Sequence, residues 1–388
     1  MRDHFLKFLD VDKALDNPND MLAYGYDGSG IEGKARLVVF PESIEQVRQV
    51  ILYSSRTNIP LVVRGLGTNP SGMVVPDNSI VLDMAHFDRI HTINLKEKWV
   101  LVDTGVVLEE LQTLLRKHGY TFPIDPESRG TATIGALLAT NQMDRRSHKH
   151  GRLKEHVLNI EIIDGTGKHY PDGNKDFISM EGCGAIILRA KIKIYPVIEK
   201  TTTDLLTYEN IANMMAVADE KNQDLTVLSM EYINPILSRM LGWEEKHHLL
   251  IEYSGEKGEH KNAEAQARHW EKRAKAWETA STQGYPIIGD CWVPFDKVMD
   301  LVTWCDNNDL PLVGHIGLGV FHPFLKTRDM TELMEFIKKH KGDAAGQFGY
   351  GLVKKNHVPK EKKELLIKLK DMYDYNNIIN RGKLYDYS

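Results

Sequence analysis

The chain has 388 residues, 42% of them hydrophobic, and a formal net charge of −5 with acidic and basic residues interspersed. That is room for two or three domains with real cores, and it excludes the basic footprint of a nucleic-acid binder. Three widely spaced cysteines, Cys183, Cys291 and Cys305, fit a reducing compartment rather than a disulfide framework, a cluster or a CxxC zinc site.

The first residues, MRDHFLKFLDVDKALDN, are too charged for a signal peptide, and no stretch approaches the roughly 20 apolar residues of a transmembrane helix. A cytoplasmic location is expected, with peripheral membrane association left open. Residues 35–40 (ARLVVF) read as a strand and 41–43 as a turn. Ser43 and Gln46 then stand in capping-box spacing before a helix with the apolar stripe Ile44, Val47, Val50 and Ile51. Asn58 and Pro60 stop that helix, and Leu61–Arg64 form the next strand, so 35–64 is a βαβ unit.

That second strand runs into RGLGTNPSG (64–72). Gly65, Gly67 and Gly72 can take positive φ and let backbone N–H groups converge on an anion, the nest that cradles a pyrophosphate. On glycine content alone an ordinary tight turn is an equal reading. Nicotinamide-type sites place their glycines after the first strand of such a unit, so the position here argues against one.

Further on, 79–84 and 98–105 read as short strands and 109–119 as a helix closed by Gly119. The segment 123–141, PIDPESRGTATIGALLATN, is rich in small residues. It suits either a second close backbone approach to a large ligand or, as the stronger reading in isolation, a helix packed tightly on a sheet. RRSHKHGRLKEH (145–156) reads as an exposed basic loop, with no metal assigned to His148, His150 and His156. A hairpin follows over 157–170, turning at Asp164-Gly165, and then a strand whose alternating Ile and Lys over 191–194 bury one face. Over 199–325 the pattern places helices at 209–221, 260–278 and 296–307 and strands at 226–232, 247–253 and 311–322. This is an α+β cap on an antiparallel sheet.

In order, RGLGTNPSG, PIDPES, TATIG with Ala139-Thr140-Asn141, EGCGAIIL and IYP resemble the FAD-binding domain of the p-cresol methylhydroxylase and vanillyl-alcohol oxidase superfamily. The branch is that of the glycolate oxidases and D-lactate dehydrogenases, the D-2-hydroxy-acid dehydrogenases, and the likeness runs collinearly over about 30–198. It implies an α+β fold: a two-lobed FAD-binding domain over 1–198, a substrate cap over 199–325 and a segment, 326–388, returning to the FAD domain. It also implies FAD, held by Arg64, Gly65, Leu66, Gly67, Thr68, Asn69, Ser71, Gly72, Pro123, Ser128, Thr133, Gly135, Asn141, Gly182, Ile186, Ile187 and Asn380. Thr68 and Asn69 stand where covalent members often have a histidine, so a non-covalent flavin is expected. Gln142, Met143 and Asp144 depart from the family's alanine and two glycines.

VGHIGLGVFHP (313–323) resembles the family's GHAGDGNLHP. By spacing alone His315 and His322 are two structural histidines at strand ends; by resemblance they hold a divalent metal such as zinc or manganese. GDAAGQFGYGLVKK (342–355) is similar to GSISGEHGIGLVK, with Gln347 in place of a metal-binding Glu and Phe348 in place of the histidine proposed as base. Gln347 is an uncharged third ligand and Phe348 cannot accept a proton. The base then falls to His315 or His322, with Tyr350 as a weaker candidate. The tail NNIINRGK is similar to the family's last segment, which brings Lys383 towards the cofactor or leaves it solvated.

The resulting expectation is an FAD-dependent dehydrogenase or oxidase of a small 2-hydroxy acid, passing hydride to flavin N5. Arg239, Lys326 or Arg328 would anchor the carboxylate, and an electron acceptor or redox partner subunit would take the electrons onward. Two alternatives stay open: a catalytically reduced FAD-binding accessory subunit of a multisubunit oxidase, and a metal-independent alcohol or sugar oxidase.

Overall fold

The computed structural model describes residues 1–260 and 262–385. Ser43 caps the helix Ile44–Thr57 by accepting from the Gln46 amide, and Asn58 ends it in the left-handed conformation at φ 52°. The reciprocal half of the capping box has slipped by one residue, because Gln46 Oε1 accepts from the Glu42 amide. Val47, Val50 and Ile51 are buried on the helix's inner face, each worth roughly 2 kcal/mol of burial.

The strands joined by that helix, Lys34–Val39 and Leu61–Arg64, are parallel but not neighbours. Asp77–Asp83 lies between them, and Ala14–Leu15 adds an antiparallel edge. The βαβ reading therefore needs one correction: the chain, after the glycine loop, returns to fill the gap between its two strands. A second, antiparallel sheet runs Ile90–Asn94, Trp99–Asp103, Ala185–Lys193, Val157–Asp164 and His169–Tyr170. Ile163, Ile186 and Leu188 from this sheet share a core with Leu61, Ile80 and Leu82 of the first. Its hairpin turn is wider than a two-residue one, because Asp164 Oδ1 accepts from the amides of Thr166 and Lys168.

The cap is a seven-stranded sheet. Its main path is Thr201–Tyr208, His247–Ser254, Val227–Ile233, Leu312–His315 and Val320–Leu325, with Ile287–Ile288 and Cys291–Trp292 both on the last strand. The first of these, TTTDLLTY, has no alternation and was not legible as a strand. The stretch 311–322 is a hairpin rather than one strand, broken by a turn in which Gly319 takes φ 69°. Three helices match the expected ones, although 260–278 divides into Ala263–Ala274 and Ala276–Thr282.

The helix Thr331–Lys339 packs Leu333, Met334 and Ile337 into the core shared with the cap. The chain then crosses to the glycine loop. Its tail joins the first sheet at the edge of Leu61–Arg64: the Leu61 amide donates to Ile378 O (2.7 Å) and the Asn380 amide to Leu61 O (2.8 Å). Lys383 is buried, donating to Val75 O, and burial lowers its pKa to about 8.

Candidate active site

A cavity of about 1100 Å³ opens among the two sheets and the cap. One side is the glycine loop. Gly67 sits at φ 69°, and a Cβ there would lie 2.0 Å from the Arg64 guanidinium, which is held by Tyr26 O (2.7 Å) and Ala23 O (3.3 Å). Gly65 does not take positive φ; its missing Cβ instead leaves room for Thr133 Oγ1, which such an atom would meet at 2.6 Å. Glycine is thus required at 67 by backbone conformation and at 65 by close approach.

Arg64, Gly65, Leu66, Gly67, Thr68, Asn69, Ser128, Thr133, Gly135, Gly182, Ile186, Ile187 and Asn380 all line this one cavity. Asn380 ties the far wall together, donating to Glu181 O (2.9 Å) and accepting from the Val63 amide (3.2 Å). Four expected residues stand off the wall. Ser71 is turned away to Phe348 O (2.7 Å), Gly72 backs onto Leu352, Pro123 is buried outside the lining, and Asn141 caps the helix Ile134–Thr140 and accepts from the Lys154 amide. The small-residue wall and the glycines at 65 and 67 fit the diphosphate bridge and planar ring of a flavin dinucleotide.

On the cap side His322 lines the cavity beside Arg273, Gln347 and Phe348. His322 Nε2 lies 3.0 Å from Gln347 Oε1, and Nδ1 lies 3.3 Å from Gly289 O and 3.6 Å from Asp290 Oδ1. Burial drives its pKa down to about 4, with the Asp290 carboxylate pulling weakly the other way. His322 is therefore neutral at pH 7. Phe348, ring against ring at 5.1 Å, covers it.

His315 sits behind His322, ring centroids 6.0 Å apart, and is not part of the cavity lining. Its Nδ1 is 2.5 Å from Glu231 Oε1. Burial opposes its charge, but the Glu231 carboxylate outweighs burial and raises its pKa. Glu231 Oε2 also accepts from Arg273, at 2.7 Å from Nε and 2.6 Å from Nη2. Arg273 Nη1 reaches Glu127 Oε1 at 2.8 Å, and this cation holds the Glu127 carboxyl near a pKa of about 2. Tyr350 is elsewhere: its hydroxyl donates to Asp343 (2.5 Å), its pKa is raised by burial and by that carboxylate, and it lines a separate, smaller cavity.

This donor set does not fit the divalent metal at His315, His322 and Gln347. Gln347 brings no charge and its Nε2 is committed to Met143 O (3.0 Å), while His315 Nδ1 is taken by Glu231. The Arg273 guanidinium already shares the Glu231 carboxylate, and a second cation there meets its repulsion. Among the described residues no three His, Cys, Asp or Glu side chains are grouped to hold a metal.

Glu127, Arg273 and Glu231 were missed in the sequence. Arg273 is the one buried residue of the helix Ala263–Ala274, whose sequence, AEAQARHWEKRA, gives no means of telling an inward arginine from its solvated neighbours. Of the expected carboxylate anchors, Arg239 pairs with Glu245 and Lys326 stands near Asp309 on the exposed surface, whereas Arg328 does line the cavity. The 145–156 stretch is not an exposed basic loop. Arg146 makes two hydrogen bonds to Glu252 of the cap (2.9 and 2.7 Å), Arg145 lies over the Trp270 ring, and His156 is buried against the Tyr195 hydroxyl (2.9 Å).

Two family models match the chain: an FAD binding domain over residues 35–170 and the C-terminal domain of FAD linked oxidases over residues 199–384. Between them they span most of the sequence, and the chain belongs to the FAD-linked oxidase family with that two-domain architecture, an oxidoreductase family that includes 2-hydroxy-acid dehydrogenases. Similar curated proteins include a D-lactate dehydrogenase of Archaeoglobus fulgidus, 24% identical over 90% of this chain and 91% of its own. The glycolate oxidase subunit GlcD of Bacillus subtilis is 24% identical over 94% and 92%. A D-2-hydroxyglutarate dehydrogenase of Stutzerimonas stutzeri is 22% identical over 99% and 98%. Among solved structures an alkyldihydroxyacetonephosphate synthase superposes with a TM-score of 0.73 at 15% identity, covering 98% of this chain and 84% of that one, a likeness of fold. No helix among the described residues is long and apolar enough to cross a membrane.

Proposed function

We propose that the chain, with non-covalently bound FAD, oxidises a small 2-hydroxy acid of the glycolate or D-lactate type to the 2-oxo acid. The bound flavin supplies the hydride acceptor. The observation that carries this reading is His322, a neutral imidazole in the wall of the cavity that faces the glycine cradle. Acceptors stand at both of its ring nitrogens, Gln347 Oε1 at one and Gly289 O with Asp290 at the other. A neutral ring has one hydrogen for these two positions, so one nitrogen keeps a lone pair against an acceptor; taking the hydroxyl proton of the substrate on that nitrogen gives an imidazolium that donates to both acceptors. Its low pKa then lets the proton leave after turnover. Gln347, fixed by Met143 O, sets the orientation of the ring, and Phe348 shields it from water.

Electrons leave to an acceptor or a partner subunit in a cytoplasmic setting; one relative is by name a subunit of a glycolate oxidase. Phe348, in the position of the family's base, favours the second reading, an accessory flavin-holding subunit. Anaerobic addition of glycolate, D-lactate and D-2-hydroxyglutarate to the purified flavoprotein separates the two: bleaching of the flavin by an acid supports the enzyme, and a flavin that no acid reduces supports the accessory role.

A further inference from the structure

Behind the segment that carries Gln347 lies a second cavity, of about 450 Å³. Thr140, Glu181 and Gln347 line both cavities and form the partition between them. The other walls of the second cavity are largely polar, with Asn141, Arg152, Ser179, Asp343, Tyr350 and Lys362 among them. Its carboxylates and its cations are not matched to one another. Glu181 accepts from the Tyr350 and Gly351 amides, each at 2.8 Å. Asp343 Oδ1 accepts from the Tyr350 hydroxyl (2.5 Å) and the Ala345 amide (2.9 Å), so both acids are satisfied by neutral donors. Arg152 has one long side-chain contact, Nη2 to Gly346 O at 3.5 Å, and Lys362 one, to the Ser179 hydroxyl at 3.2 Å. Neither forms an ion pair among the described residues. Burial lowers the Arg152 pKa, and the more distant Asp290 and Asp343 do not make up the loss. A guanidinium carries five N–H donors and an ammonium three, so most of both sets lack a protein acceptor.

We propose that this second cavity binds a small metabolite through one oxyanion group, phosphate or carboxylate, held by Arg152 and Lys362. The fork of Arg152 takes two anion oxygens and still keeps Gly346 O, while Lys362 adds a point charge from another element. The uncapped first turn of the 14-residue helix Lys360–Tyr373, whose Pro359, Glu361 and Lys362 reach the cavity wall, reinforces the two cations with its free amides. The volume is that of a site for a small molecule, of which the oxyanion is one end. An occupant packs against 343–350, the stretch that presents Gln347 to the flavin-side cavity, and holds it against the FAD-binding side through Arg152.

This site is independent of the hydroxy-acid reading, and its test needs no turnover. Inorganic phosphate, glycerol 3-phosphate and succinate are each titrated by calorimetry into the flavin-loaded protein at low salt. At least one is expected to bind one-to-one, and comparison of the phosphates with succinate tells which oxyanion the site takes. Arg152→Met and Lys362→Met should each weaken that binding by about 10-fold, the worth of one charge-assisted contact. In the unaltered protein the ligand should slow hydrogen exchange over 343–350 and at the start of Lys360–Tyr373. No binding by any of the three up to about 10 mM overturns the proposal, as does an affinity unchanged in both variants. Protection confined to the glycine loop at 65–69 also overturns it, because the anion then lies in the flavin-side cavity. Should either variant not fold, the exchange pattern of the unaltered protein decides alone.

Discussion

Gln347 and Met143, 204 residues apart, meet at the cavity wall, where the glutamine amide donates to the Met143 carbonyl at 3.0 Å and its oxygen faces His322 at 3.0 Å. The acceptor is a backbone carbonyl, so the contact depends on the Gln347 amide and on the course of the chain at 143, not on the methionine side chain. A carboxylate at 347 has no hydrogen for Met143 O. Gln347→Glu is therefore expected to cost about 1–3 kcal/mol at pH 8, the price of an unsatisfied buried carbonyl, measured by urea unfolding. It should create no zinc site; tight stoichiometric zinc binding in calorimetry by that variant would contradict the charge argument built on Arg273.

The two histidines carry opposite pH signatures. His322 has a folded pKa of about 4, below its unfolded value. Its contribution to stability is present above the unfolded pKa and is lost as pH falls through about 6.5 towards 4. His315 is raised, so its contribution is full below the unfolded pKa and is lost as pH rises through the folded one. Melting curves across pH should show His322→Gln flattening the acid side and His315→Gln flattening the alkaline side. Swapped or identical profiles would refute the assignment.

At the catalytic step His322→Gln should slow anaerobic flavin reduction by about 10²- to 10⁴-fold, the worth of a positioned base, with flavin binding retained. Tyr350→Phe, off the cavity and bonded to Asp343, should change that rate by less than about 3-fold on the same scale. Stopped-flow absorbance reads both.

Gly67→Ala forces a side chain into left-handed backbone and onto the Arg64 guanidinium, 2.0 Å away. The backbone term alone is about 1–2 kcal/mol, and displacing Arg64 adds to it. The expected outcome is protein purified with little flavin and at least about a 10-fold weaker FAD titration, at near-normal circular dichroism.

Arg146 joins the FAD-binding side to the cap through Glu252, whose side chain is 4% accessible. Arg146→Met leaves that carboxylate buried with only the longer contacts to Arg145 (3.9 Å) and the Ser229 hydroxyl (3.5 Å), a loss of about 1–2 kcal/mol after allowing for the partial exposure of the arginine. Hydrogen exchange should speed in Val227–Ile233 and His247–Ser254 before it does in the first sheet. Uniform acceleration would argue against a docking role.

How much of this was legible follows from which signals are local. The helix Ile44–Thr57, its Ser43 cap, the strand–glycine-loop junction at 64–67 and the cap helices are set by spacing within a few residues, and the sequence shows them. Strand insertion between Lys34–Val39 and Leu61–Arg64 is not local, because every strand of a parallel sheet reads alike and order is decided by which faces the helices cover. At the site, the glycines and both histidines stood out by motif. Arg273 and Glu127 did not, since a charge becomes informative only when the fold buries it, and their partners lie 42 and 146 residues from Arg273. The same holds for Arg146, which in the sequence is one cation in a basic run.

The central claim is that a flavin in this cavity is reduced by a hydroxy acid without a metal. The direct measurement is anaerobic flavin absorbance of FAD-loaded protein in EDTA, titrated with glycolate, D-lactate, D-2-hydroxyglutarate and a sugar alcohol. The account predicts full bleaching by at least one of the acids, none by the sugar alcohol, and no change on adding zinc or manganese. A flavin left oxidised by every acid, or one that any acid bleaches only after metal is supplied, would contradict it.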